Sequence, residues 1–187
     1  MVSADRVQHC SLSGAILTGV KSRLQFAGHP IHVMVVGFPI GLYTSALVCD
    51  GLYLLLHEAF WFRMAFWAIV FGLIAHVTAA ATGLPDFLAV MRDPEQKDAR
   101  RPATSHLVFG IGLLVVQGLN LAVRNGGGIP AGGSVVMPVL VNVIGASLTG
   151  VQGWYGGELV YRYFVGVELP DPTGDGLHGK HKGKKHF

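Results

Sequence analysis

Two histidines three positions apart, His29 and His32, stand in the stretch "GHPIHVM" at the entrance of a long apolar run. Imidazole is the commonest metal ligand and the side chain that exchanges protons nearest neutral pH. The pair therefore fits three kinds of work: capping a helix, ligating a metal or haem, and handling protons. Other apolar runs carry ionisable groups at their own ends. Asp86 closes one in "ATGLPDF", His106 opens another in "RRPATSHLVF", and Glu158, Tyr161 and Arg162 close a third in "GWYGGELVYRY".

The elements that position these groups are legible from composition. Of the 187 residues 51% are hydrophobic and only 13% are charged, against about 25% charged in an ordinary soluble domain. The apolar residues gather into four runs, about 31–56, 60–84, 107–123 and 135–160. About 20 consecutive apolar residues span a bilayer core, and in lipid only helices and closed barrels satisfy their backbone groups. The runs lack the alternation of a barrel strand. The expected fold is all-α: an integral membrane, antiparallel four-helix bundle.

An even number of spans puts both termini on one side, with the connection between the second and third helices. Twelve of the 14 Lys and Arg residues lie there; only Arg63 and Arg124 lie opposite. Without the four lysines of the tail the balance is still eight to two. Basic loops stay in the cytoplasm, so the expected orientation is N-in and C-in. Residues 1–26 form an N-terminal segment in which "SLSGAILTGVKSRLQF" reads as an interfacial amphipathic helix. Residues 27–168 form the membrane domain, and 169–187 a Gly-, Lys- and His-rich tail expected to be disordered.

This topology brings His29, His32, Asp86, His106, Glu158 and Arg162 to one membrane depth, at the cytoplasmic end. Two readings stand side by side, with proton or quinone chemistry at the same groups as a third. In one, the groups turn inward, since polar residues within membrane helices are costly and face the bundle interior. His29, His32, Asp86, His106 and Glu158 are then candidate ligands of a transition metal. Alternatively His32 and His106, backed by His29, hold haem b with Arg162 at its propionates. In the other reading they are interfacial anchors and ion pairs: His29 an N-cap, Asp86 paired with Arg100, Arg101 or Arg162, and Glu158 paired with Arg162 one turn on. His76, deeper in the second helix, reads first as hydrogen-bonded to a neighbouring helix.

Other features read as packing. Gly153 and Gly157 form a GxxxG face extended by Ala146 and Gly150, which lets helices approach closely. Pro39 should kink the first helix. Asn120 and Asn142 are placed to bond across the third and fourth helices. Trp61, Phe62 and Trp67 read as interface anchors and lipid-facing bulk. Cys10 and Cys49 are too few and too far apart for a disulfide framework.

In combination, "GHPIHVMVVGFPIGLYTSALVCD", "GLPDF", "ATSHLVF" and "GWYGGELVYRYFVGVE" resemble a bacterial family of predicted four-span membrane proteins of unknown function. Its pattern is HPxHP entering the first helix, G-x-x-D ending the second, a His opening the third and GG-[EH]-L-x-Y-R ending the fourth. The resemblance covers about residues 27–168. It implies the same fold and a place in the bacterial inner membrane, and it singles out His29, His32, Asp86, His106, Glu158, Tyr161 and Arg162. Val33 replaces the second proline of HPxHP. Some relatives carry a fused Rieske domain, which implies redox company.

The leading expectation for function is a haem- or metal-binding redox membrane protein, with a redox partner protein or a second copy of the chain as partner. The alternative is a non-catalytic membrane anchor or accessory subunit. Transport fits less well, because four helices show no inverted repeat. No G-x-S-x-G, HExxH or Walker-type loop supports hydrolysis. The short basic tail lacks the interleaved aromatics of a nucleic-acid binder.

Overall fold

The computed structural model describes residues 7–12, 15–128 and 134–167. Four long helices dominate: α1 (Ile31–Leu56), α2 (Ala59–Arg92), α3 (Arg100–Val123) and α4 (Val136–Tyr161). Each is long and apolar enough to cross a membrane. Their outer faces carry exposed Val48, Leu55, Phe71, Ile74, Val115 and Ile144, the inside-out pattern of helices whose surroundings are lipid.

The helix ends follow local chemistry. Pro30, with φ −68° and ψ 119°, holds the extended backbone before α1. His57 ends α1 in the left-handed region at φ 58°, donating its N–H to Tyr53 O at 2.8 Å. Two residues then suffice to turn into α2. The second apolar run reads as ending at Leu84, yet α2 continues through Pro85 to Arg92. Its 34 residues extend about 51 Å at 1.5 Å per residue, well beyond a hydrocarbon core of about 30 Å. α3 likewise starts at Arg100, before its apolar run. Pro102 sits in its first turn, where a missing N–H is tolerated.

The expected interfacial helix over 11–26 is corrected. Val7–Leu12 (β1) pairs antiparallel with Ala15–Val20 (β2), from Val7 opposite Val20 to Leu12 opposite Ala15. The β-branched Val7, Ile16, Thr18 and Val20 favour a pleated strand over a helix. Gln25–Phe26 (β3) pairs with His29–Pro30 (β4). Gly166 N donates to Val20 O at 2.8 Å, and Val20 packs with Ala89, Val90, Ala99 and Ala103, closing this end of the bundle. The tail and residues 129–133 lie outside the described residues.

α1 packs chiefly on α2, and α3 on α4. The bundle is thus two helical hairpins, and a cavity opens between them.

A histidine-lined cavity and a buried ion pair

The cavity holds about 460 Å³ and is lined by all four helices. Val36, Pro39, Leu107 and Leu114 contribute apolar wall, and His32, Tyr43, His76, His106 and Gln152 contribute the polar groups. Its size falls in the range of about 300–1,000 Å³ typical of small-molecule and cofactor sites.

His32 and His106 are brought together from opposite hairpins, with ring centroids 6.4 Å apart and planes at 87°. Each ring lies on a glycine of its partner helix. A Cβ at Gly83 would come within 2.7 Å of the His32 ring, and one at Gly156 within 3.1 Å of the His106 ring. Each ring also contacts the carbonyl one turn before that glycine: His32 Nδ1 to Ala79 O at 2.8 Å and His106 Nδ1 to Gln152 O at 3.0 Å. A carbonyl only accepts, so in both rings Nδ1 is the donor, which in a neutral imidazole leaves the Nε2 lone pair free. A backbone bond to one ring nitrogen is how proteins orient an imidazole that ligates through the other.

His76 lies two turns deeper on α2 than Gly83. It meets Tyr43 Oη of α1 at 3.4 Å and the Gln152 amide nitrogen of α4 at 3.5 Å, the hydrogen-bonded state its lone position suggests. Tyr43 and Gln152 were not legible as site residues. Both are again seated on glycines, Tyr43 against Gly72 and Gln152 against Gly110.

The remaining candidates bond elsewhere or are exposed, although Asp86 and Tyr161 also line the cavity. The Asp86 carboxylate accepts from Ser22 Oγ and from Arg23 N, both at 2.8 Å, so it tethers the N-terminal segment and is paired with none of Arg100, Arg101 and Arg162. Glu158 pairs with Arg162 at 3.2 Å on the surface, as the anchor reading expects. Tyr161 is exposed. His29 is exposed in β4 and is not the N-cap of α1, which is Pro30. Among the described residues, no group of three or more His, Cys, Asp or Glu side chains could hold a metal ion.

At the opposite end lies a second polar centre. Arg124 donates to Asp50 at 2.5 Å, and both side chains have no exposure. Asn142 donates to the same Asp50 oxygen at 2.6 Å, Arg124 Nε to Asn120 at 2.8 Å, and Asn120 to Gln117 at 3.1 Å. Gln117 reaches Asn142 at 3.5 Å, so the two asparagines are linked through Gln117 and Asp50. Phe62 is corrected from lipid-facing bulk to fully buried, because the Arg124 guanidinium lies 4.9 Å over its ring. Arg124 is correspondingly an interior charge, not a loop one. The signal for this centre was present in the sequence: Asp50, Gln117, Asn120 and Arg124 are polar residues on the inner faces of apolar helices.

The Gly150, Gly153 and Gly157 row, which the sequence offers to the bundle or to a dimer, is not used for close approach within the bundle. Added Cβ atoms at Gly150 and Gly153 would meet nothing within 4 Å, and one at Gly157 only Tyr161 of its own helix. The glycines used for close approach in α4 are Gly145 and Gly156.

A family model described as "Predicted membrane protein (DUF2231)" matches residues 28–169. No curated protein and no solved structure matches the chain.

Proposed function

The chain belongs to this DUF2231 family of predicted membrane proteins, and from that premise we propose that it is a redox protein that holds a b-type haem between His32 and His106. The observation that carries the reading is the pair itself. It consists of two imidazoles from opposite hairpins, 6.4 Å apart, each tied to a carbonyl through Nδ1 and lining one cavity. Their Nε2 atoms would be the protein's two donors to an iron held between the hairpins, and the Nδ1–carbonyl contacts would hold the rings in place for it. Two protein ligands leave a metal most of its shell to find elsewhere, and a porphyrin brings four nitrogens of its own.

The walls suit such a group. They are largely apolar, and Val33, Ile40, Leu84 and Ile111 line the cavity while remaining exposed on the lipid side, which leaves room for the edges of a disc between the hairpins. Arg162 lies at the same end and would face propionates. A haem there supplies one-electron transfer; the protein fixes its ligands and keeps water out. The basic balance of the loops supports a bacterial inner-membrane orientation with both termini, and this site, on the cytoplasmic side. A cytoplasmic redox protein is the partner that orientation favours.

The test is the visible spectrum of the purified protein in mild detergent, before and after dithionite and after incubation with ferric haem. A low-spin spectrum that is lost in His32→Ala and in His106→Ala supports the reading. A protein that stays colourless through reconstitution, or keeps its spectrum in both variants, overturns it. The second reading, a non-catalytic membrane subunit, is favoured by the uncovered Gly150–Gly153–Gly157 row. It predicts a colourless protein in a defined complex.

A further inference from the structure

The inner faces of the two hairpins correspond residue by residue. Buried Pro39, Tyr43, Ala46 and Asp50 of α1 match buried Leu113, Gln117, Asn120 and Arg124, each 74 positions on. Ala65, Ile69, Gly72 and His76 of α2 match Pro138, Asn142, Gly145 and Thr149 of α4, each 73 positions on. The spacing alone carries little, because alternating steps of three and four recur in any bundle. The contacts carry more. His32 lies on Gly83 and bonds the carbonyl four residues before it; His106 lies on Gly156 and does the same. Eleven residues further along each helix, Tyr43 lies on Gly72, and Gln117 lies on Gly145. One device, a ring or amide seated on a partner glycine, occurs twice per hairpin at the same register.

Equivalent residues also face each other. His32 meets His106, its own counterpart, and Asp50 meets Arg124, its own counterpart. A residue meets its counterpart only on a two-fold axis. Both hairpins enter from the same side, so the axis runs along the bundle, as in parallel membrane repeats. Unlike charges stand at the one station where a true two-fold would oppose two like ones.

We infer that the membrane domain is one helical hairpin present twice, closed about a pseudo-two-fold axis, and that Asp50 and Arg124 are the key by which unlike halves of one chain close together and a second copy is kept out. Two Asp50 residues meeting in an exchanged dimer would be buried like charges, and two Arg124 residues the same. With the key removed, that barrier to pairing with the same half of a second copy is gone. Resting on the function proposed above, a ligand of His32 and His106 would be held by one histidine from each half.

The experiment uses the full chain with Cys10→Ser and Cys49→Ser, carrying Asp50→Cys and Arg124→Cys, treated in native membranes with a short bis-maleimide and read by mass spectrometry of the linked peptides. The expected result is 50–124 links within a chain together with 50–50 and 124–124 links between chains. Links only between 50 and 124 overturn the inference. Loss of the 50–124 link as well overturns the placement of both residues on the axis. The readout involves no cofactor, so it stands or falls separately from haem binding.

Discussion

Arg124 of α3 and Asp50 of α1 form an ion pair of 2.5 Å with no exposed surface on either side chain. Asn120, Asn142 and the Phe62 ring enclose it. In water such a pair would contribute little. Inside an apolar bundle it makes each partner indispensable to the other.

Asp50→Ala should therefore be far worse than removing both charges. Breaking a buried pair costs about 3–5 kcal/mol, whereas exchanging both partners for apolar residues is often neutral. Thermal unfolding in detergent should show a large fall in midpoint for Asp50→Ala and recovery of most of it in Asp50→Leu/Arg124→Met. Equal midpoints for the single and double variants would contradict the structure.

The glycines under the histidines should be intolerant, while neighbouring glycines should not. Alanine at Gly83 or Gly156 pushes on the His32 or His106 ring, and overpacking of this kind costs about 1–3 kcal/mol. Alanine at Gly112 or Gly118 meets nothing within 4 Å and should be neutral or favourable, since Ala is the better helix former by about 1 kcal/mol. Comparing the four midpoints, with haem content read on the same samples, checks this.

Tyr43 and His76 should separate from the ligand pair. The Tyr43–His76 contact is long at 3.4 Å, so Tyr43→Phe should lower stability by no more than about 1 kcal/mol. His76→Leu should cost more, because it leaves Tyr43 and Gln152 facing an apolar group. Neither should abolish a haem spectrum that His106→Ala abolishes. Loss of the spectrum in His76→Leu with the fold intact would move the ligand assignment to α2.

Asp86 should govern the N-terminal segment without affecting the spans. Its two bonds hold Ser22 and Arg23. Asp86→Ala should speed trypsin cleavage at Lys21 and Arg23 while the four helices stay protected. Performed on inverted vesicles and on spheroplasts, the same digestion reports the side on which the N-terminal segment lies. Cleavage only from the spheroplast exterior would reverse the proposed orientation.

Composition and run length determined the four membrane helices, because burying backbone in lipid leaves a chain few alternatives and the apolar length required is short and countable. The antiparallel order, and hence the level shared by His32 and His106, followed from connectivity. Local pattern was weaker at the edges. α2 runs through Pro85 and α3 starts ahead of its apolar run, because polar helix ends continue beyond the hydrocarbon boundary. Residues 7–12 pair with 15–20 as strands where an amphipathic helix over 11–26 was expected, since a short segment satisfies either period. What only the tertiary structure decided is direction around each helix. Depth put Asp86 and Glu158 beside the histidines, but rotation turned Glu158 outward to Arg162 and tied the Asp86 carboxylate to Ser22 and Arg23 at the wall of the cavity. The same rotation turned Asp50 and Arg124 inward to each other across 74 residues of sequence. No run of neighbours encodes that meeting. Nor does any encode how His32, Tyr43, His106 and Gln117 lie against partner helices, where glycines leave room for them.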